Sequence, residues 1–216
     1  MARLSSAVPS LAADEAGPPA RARILAAALA EFAEQGFAGA RVDAIAERAG
    51  INKRMLYVYV GNKEALWLAV LEGAYAAMRA EERALNTLHL SPLQGMEALV
   101  RFNFRYHVQH PEFITLLNDE NLQGGRNVAR SDAVQDIYSP LLALIGDLLG
   151  RGQAAGVFRR DVDARQLYIS IAGLGYFYCS NRHTLSSIFA VALDTPAALR
   201  AREDHVVSMV LGYLRP

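Results

Sequence analysis

The chain has 216 residues, 52% of them hydrophobic and 20% charged, with 22 Lys and Arg balancing 22 Asp and Glu. That length can bury a sizeable core, and that apolar content excludes a disordered chain. A formal net charge of zero excludes a protein that is basic throughout, so any nucleic-acid contact must come from a local concentration of cations. Alanine and leucine dominate and strand-like alternation is scarce, so the expected fold class is all-α.

Residues 1–20 are rich in Ala, Ser, Gly and Pro and read as a flexible arm. Some regulators lay such arms in the minor groove, but this one carries only Arg3 before Arg21. Arg21–Gln35 reads as a helix with Ile24, Ala28, Leu29 and Phe32 on one face, ended by Gly36. Val42, Ile45, Ala46 and Ala49 then recur at helical spacing over a short helix, Asp43–Ala49. Gly50 ends it, because glycine takes the left-handed conformation just past a helix at no steric cost. Asn52 caps a further helix through Val60. Gly61 stops that one, and Asn62 caps another that opens with Lys63. A helix, a glycine turn and a second helix make a helix-turn-helix, whose second helix lies in the DNA major groove.

On that second helix Leu56 and Val60 point inward, while Lys53, Arg54, Tyr57 and Tyr59 point outward. Cations meet phosphates, Arg can clasp a guanine edge, and Tyr hydroxyls bond phosphate oxygens. The two lysines of the whole chain, Lys53 and Lys63, both fall here. From Arg21 to Lys63 there are seven cations against four anions. That modest excess suggests a small phosphate footprint, so useful affinity needs two subunits bound together. The candidate DNA contacts are Arg41, Asn52, Lys53, Arg54, Met55, Tyr57, Tyr59 and Lys63. The plainer reading is a solvated surface turn, but caps, turn, period and cations coincide.

The segments I-L-A-A-A-L-A-E-F-A-E-Q-G-F (24–37), V-D-A-I-A-E-R-A-G-I-N-K (42–53), L-Y-V-Y-V (56–60) and N-K-E-A-L (62–66) carry a resemblance. The chain from Arg23 to Leu71 resembles the N-terminal domain of TetR/AcrR-type transcriptional regulators. The resemblance implies a reading head over 21–66 and a helical effector-binding and dimerisation domain over 67–216. It also implies that the helix from Lys63 to about Leu85 links the two. The chain departs from the family at Ala40-Arg41, where Thr often caps the next helix and touches phosphate, and at Val60, where Phe is usual.

Beyond the head, Ser91 and Pro92 open a helix to about Gln109, and His110-Pro111 breaks it. A shorter helix follows through Asn118, and Gly124-Gly125 interrupts. Asp132–Ala155 is a long helix with a Leu-rich core face. Asp163 caps a helix to about Ser180, and Thr195-Pro196 opens the last. The phrase Y-H-V-Q-H-P-E-F-I-T-L-L-N-D-E-N-L resembles the effector domains of a TetR subgroup. The last two helices carry more apolar surface than one subunit covers. Leu167, Leu174, Val207, Val210, Leu211 and Leu214 are the interface candidates, with Gly173 and Gly175 allowing close approach. In the family these helices pair with their copies in a homodimer.

Polar groups embedded in the apolar helices, namely Asn103, Tyr106, His107, Asn118, Asn121, Tyr176 and Tyr178, together with Phe102, suggest a pocket for a small organic effector. Taken singly, each is more simply exposed or bonded to a neighbouring helix. The expected effector is uncharged or weakly acidic and aromatic; Arg101, Arg105 and Arg126 leave an anionic one open. His107 and His110, with Glu112 and Asp119 nearby, could form half a metal site, but such histidines are more often surface or core groups, and no metal or cofactor is expected. No Gly-rich phosphate loop, G-x-S-x-G elbow or HExxH occurs, which argues against an enzyme. The single Cys179 excludes an intrachain disulfide. No membrane-length apolar run and no signal peptide is read, so the expected location is the cytoplasm with no membrane partner. The function these features support is a homodimeric repressor on a near-palindromic double-stranded operator, released by the effector. The alternative is a helical small-molecule-binding protein with a vestigial reading head.

Overall fold

Six helices begin at a side chain that accepts the backbone amide three residues on. Asn52, Asn62, Ser91, Ser131, Asp163 and Thr195 take the N–H of Met55, Ala65, Gln94, Val134, Gln166 and Ala198. Each cap contributes about 1 kcal/mol. The computed structural model describes residues 19–216, apart from the side chains of 135 and 137. The expected arm, with Arg3, lies outside the described residues except for Pro19 and Ala20, which cap and open the first helix.

The helices are α1 (Ala20–Gly39), α2 (Val42–Arg48), α3 (Lys53–Val60), α4 (Lys63–Arg83), α5 (Pro92–Gln109), α6 (Pro111–Leu122), α7 (Asp132–Ala154), α8 (Ala164–Phe189) and α9 (Pro196–Leu214). Short 3-10 turns sit at Thr87–His89 and Val128–Arg130. No strand occurs among the described residues, so the fold is all-α. Two helices outrun their sequence-based ends. α6 continues past Asn118 to Leu122 and α8 past Ser180 to Phe189, because nothing in 119–122 or 181–189 breaks a helix; Gly124 and Ala190, both at positive φ, end the runs.

One core fills the reading head, where Ile24, Phe32, Ile45, Leu56, Leu66 and Trp67 are fully buried, and Leu116 of α6 joins it. Trp67 meets Phe32 edge-on, with ring centroids 4.9 Å apart. A second core joins α5, α7, α8 and α9 through Met96, Phe104, Ile145, Leu148, Ile171 and Val206. A smaller cluster of Tyr75, Met78, Tyr106, Phe113 and Val134 lies between them. The first half of α4 therefore packs in the head and its second half in the helical domain, so the passage between the two falls inside one continuous helix. At the charged end of α4, Glu81 and Arg83 are exposed, but α7 packs over Arg79 and Glu82, which are buried as an ion pair. Gly73 and Ala77 of α4 are exposed.

α6 is fastened to the head by two carboxylates. The Asp119 carboxylate accepts the Phe37 amide, beside Gly36, where α1 kinks at φ 67°. A Cβ at Gly36 would stand 3.1 Å from that carboxylate, so glycine is required by both conformation and space. The buried Glu120 carboxylate accepts from Trp67 Nε1 at 2.9 Å, from the Asn127 amide and Nδ2 at 2.8 Å each, and from the Val128 amide at 3.0 Å. Burial pushes its pKa up, but these four donors outweigh burial and hold it below the usual carboxylate value. Trp67→Phe keeps the ring and removes one donor. The expected loss is about 1–3 kcal/mol of unfolding free energy in urea titrations. An unchanged midpoint would show that the Trp67–Glu120 bond contributes nothing.

Candidate nucleic-acid interface and effector chamber

The turn between α2 and α3 forms as its residues dictate. Gly50 lies at φ 66° and Ile51 donates back to the Ala46 carbonyl at 3.1 Å. Leu56 plugs the core, which turns the rest of the short helix outward. Lys53, Arg54, Tyr57 and Val58 line one shallow concave face, and Met55 and Tyr59 flank it, both partly exposed. Val58, at 72% exposure, is the most exposed large apolar side chain of this helix, and sequence reading passed over it. Its signal was its place one turn after Arg54. An apolar group there suits a thymine methyl.

The cations are not equally available. Arg48 is held at the back of the head by Glu34, Nη1 to Oε1 at 2.9 Å, and by Glu31 at 3.4 Å. Lys53 Nζ lies 2.9 Å from Asp43 Oδ1. That hydrogen bond and charge raise the Lys53 pKa, while nearby Arg41 works the other way. Lys63 Nζ lies over the Phe37 ring at 5.0 Å and 3.5 Å from the Ala38 carbonyl oxygen, so it leans on the α1–α2 connection. The Asn52 side-chain oxygen is used by its cap, 2.9 Å from the Met55 amide, which leaves only its NH2 group for other contacts.

In the helical domain a cavity of about 190 Å³ is lined by Met78 of α4, His107 of α5, Phe113, Leu117 and Asn121 of α6, Tyr138 of α7 and Tyr168, Ala172, Gly173 and Tyr176 of α8. Three of the eight residues singled out for an effector line it: His107, Asn121 and Tyr176. Asn118 borders it, its Oδ1 accepting the Tyr176 hydroxyl and, at 3.2 Å, the Ser180 hydroxyl. Asn103 and His107 are buried against Gly175, where a Cβ would stand 3.6 Å from Asn103 Oδ1 and 3.2 Å from His107 Nδ1. Both atoms are without a hydrogen-bond partner. Burial, and then the charge of Arg79, lower the His107 pKa to about 4, so its ring is neutral at neutral pH.

Three of the eight lie elsewhere. Tyr106 packs behind the chamber against Phe113 and His110, and Phe102 packs on Tyr106. Tyr178 faces the opposite way, donating to the Leu193 carbonyl at 2.6 Å with Arg202 over its ring. Tyr138 and Tyr168, with hydroxyls 3.4 Å apart, are chamber residues that sequence reading missed. They carried the same signal as Tyr176, a polar-tipped ring on an apolar helix. Burial pushes the Tyr138 hydroxyl well above its usual pKa, so it stays protonated. Arg101 and Arg105 pair with Glu203 outside the chamber, and Arg126 donates to Gln123. His110 is engaged with Glu112, Nδ1 to Oε1 at 2.9 Å, and among the described residues no group of three metal-ligating side chains lies together.

The expected interface residues divide between two faces. Leu167, Val207, Val210 and Leu214 are buried in the subunit's own core, and Leu174 and Leu211 are half-buried beside them. Gly175 serves contact with α5, whereas Gly173 is exposed. Among the apolar side chains that α8 and α9 turn outward, Ile169, Phe177, Met209 and Tyr213 are about half exposed, and Ile188 and Phe189 near the end of α8 are more so. A groove of about 550 Å³ runs between the two helices along Phe177, Met209 and Tyr213, and three of the six expected residues, Leu167, Leu174 and Val210, also line it.

The family model described as "Bacterial regulatory proteins, tetR family" matches residues 24–70. The model described as "Tetracyclin repressor-like, C-terminal domain" matches residues 92–210, more than half of the chain. The chain belongs to the TetR family. This TetR-family chain is 41% identical over 195 residues to the HTH-type transcriptional repressor NicS of Pseudomonas putida, covering 90% of this chain and 92% of that protein. It is 35% identical over 195 residues to the HTH-type transcriptional regulator RutR of Escherichia coli K12, with 89% of each covered. The crystal structure of the transcriptional regulator FadR from Bacillus subtilis in complex with stearoyl-CoA shares the fold, with TM-score 0.67 and 16% identity over 90% of this chain and 99% of that one. The protein is a DNA-binding transcriptional regulator, and its helix-turn-helix is intact, with α3 capped by Asn52 although α2 starts at Arg41 with no side-chain cap. Lys53→Ala is expected to weaken binding to all DNA sequences alike and to reduce the slope of log K against log salt by about 0.9. Asp43→Asn, which frees Lys53, is expected to tighten DNA binding several-fold in fluorescence anisotropy. Weaker binding by Asp43→Asn would mean that Lys53 does not reach phosphate.

Proposed function

We propose that this TetR-family regulator is a repressor that binds a near-palindromic operator as a homodimer and lets go when a small organic effector fills the chamber between α4 and α8. The observation that carries this reading is the position of α6. One side of that helix holds the head through Asp119 and Glu120. The other side borders the chamber through Phe113, Leu117 and Asn121, with Asn118 tied to α8. A ligand that reshapes the chamber moves the helix to which the head is fastened. The coupling required is modest, about 1–3 kcal/mol. The names of the P. putida repressor NicS and of the stearoyl-CoA complex of B. subtilis FadR support repression and ligand binding as family habits.

In this reading Arg41, Lys53, Arg54, Tyr57 and Lys63 meet phosphates and base edges, with Asn52 as their cap and Met55, Val58 and Tyr59 at the rim. The head is the unit over 21–66, and the rest senses and dimerises. The chamber is apolar and aromatic with a few hydrogen-bonding tips, which suits an uncharged, flat molecule. Among the described residues no helix is long and apolar enough to cross a membrane, and a regulator acts where the DNA is, in the cytoplasm.

Binding to the protein's own promoter region, followed by fluorescence anisotropy while metabolites are added, tests the reading. Ala172→Phe fills the chamber from α8 and is expected to retain DNA affinity while losing the response to a releasing metabolite. A variant that still responds as the wild type does would move the effector site elsewhere. The dimer is assigned to the outward face of α8 and α9. Phe177→Glu or Met209→Glu is expected to give monomers in sedimentation at micromolar concentration and to lose operator binding. A wild-type monomer, or a dimer untouched by both changes, would refute that face.

A further inference from the structure

A second cavity, about 230 Å³, opens between the C-terminal half of α4, the 3-10 turn Thr87–His89 and α7. It lies apart from the chamber, with the Tyr138 ring on the way between them: Arg79 lines the second cavity with its guanidinium 5.4 Å from the centre of that ring, and Tyr138 itself lines the chamber. Two polar side chains of its wall are buried without hydrogen-bond partners. Arg79 is 2% exposed; Glu82 Oε2 approaches Nη1 at 2.8 Å, and Nε and Nη2 have no acceptor. Thr87 is 3% exposed, and its hydroxyl has no partner either. The turn that carries it is pinned by Arg151, which donates to the carbonyls of Thr87 and Leu90. Arg83 and Asn86 complete the polar side of the wall, and Leu88, Pro140, Leu141 and Leu144 make the apolar side.

Buried guanidinium groups keep their donors satisfied, because an unmet buried donor costs as much as a lost hydrogen bond. The Nε–Nη2 edge is the side of Arg that fits a planar carboxylate with two parallel bonds. We propose that this cavity binds a small monocarboxylate with an apolar body, its carboxylate on the Nε–Nη2 edge of Arg79 and within reach of the Thr87 hydroxyl, its body against Pro140, Leu141 and Leu144. Two guanidinium groups, Arg79 and Arg83, line the cavity with one carboxylate, Glu82, which leaves a match for one negative charge and not two and disfavours a phosphate. Glu82 adapts to the newcomer. Burial raises its pKa to about 7 against the pull of Arg79 and Arg83, so it can hold a proton beside a second carboxylate. The site sits on α4, whose first residue, Lys63, belongs to the DNA-reading head.

Titration calorimetry on the full chain at neutral pH tests this, with acetate, butyrate and benzoate as probes and benzamide as the neutral counterpart of benzoate. The expected result is one carboxylate per subunit, with benzoate bound at least about tenfold more tightly than benzamide, the worth of a charge-assisted bidentate pair. The double variant Arg79→Met with Glu82→Gln removes both charges together and is expected to abolish the preference for benzoate. Should it fail to fold, Leu144→Phe narrows the same cavity from α7 and is expected to weaken benzoate binding at least about tenfold. Ala172→Phe, in the separate chamber, is expected to leave benzoate binding unchanged. No binding of any of the three carboxylates at millimolar concentration overturns the proposal. So does benzamide binding as well as benzoate, or loss of benzoate binding in Ala172→Phe and not in Leu144→Phe. The last result would leave the chamber reading standing while removing this one.

Discussion

A carboxylate taken out of water survives as an anion only if donors replace the water it lost. Glu120 meets that condition with donors from both sides of the molecule: the indole of Trp67 from the head's core, and Asn127 and Val128 from the turn after its own helix. The rest of the architecture depends on this bond set. Without it α6 would rest on the head by its packing along α1, by Leu116 and by the Asp119–Phe37 bond, with a buried carboxylate left unmet between them. With it, α1, α4 and α6 form one rigid corner. A rigid corner is what a chamber several helices away needs if its shape is to be felt at α3.

The same constraint sets the division of labour among the helices. α4 and α6 are the two shared members. The chamber lies between their far faces and α7 and α8, and the aromatic rings of Phe113, Tyr138, Tyr168 and Tyr176 keep it from collapsing. Close-packed interiors respond to a ligand by shifting between discrete arrangements and not by bending smoothly. In the function proposed above, a filled chamber displaces α6 as a body, and the Glu120 bonds carry the displacement to Trp67. Lys53 rests on Asp43 and Lys63 on the Phe37 ring; in the proposed DNA contact each exchanges that internal partner for a phosphate, which would keep affinity per subunit low and favour a pair of heads.

The reading head was legible because its signals are local. Gly50 and Gly61 mark the two breaks, Asn52 and Asn62 mark the two starts, and Leu56 fixes which way α3 turns. The helical domain was legible as helices but not as faces. Period tells which residues share a stripe, not which of two apolar stripes goes inward. Val207 and Leu214 were read as surface for a partner and lie in the core, while Leu167, Leu174 and Val210 reach the groove beside Phe177, Met209 and Tyr213, which face out. Tyr178, on the same helix as Tyr176, faces away from the chamber for the same reason. Charged residues were harder still. Nothing local marks Arg79 and Glu82 as buried, since charges usually are not; α7, which covers them, lies far along the chain.

Trp67 is the one tryptophan of the chain, so its indole N–H gives a single signal in a nitrogen–proton correlation spectrum and reports the Glu120 bond directly. The decisive measurement compares that signal in the wild type, in Ala172→Phe, which fills the chamber, and in Tyr176→Phe, which removes one of the two bonds tying Asn118 to α8. If α6 joins the chamber to the head, the indole resonance moves in both variants although neither residue touches the indole. If it stays at the wild-type position in both while the chamber's own resonances change, the chamber and the head are not connected through Glu120, and the account of effector release given above is wrong.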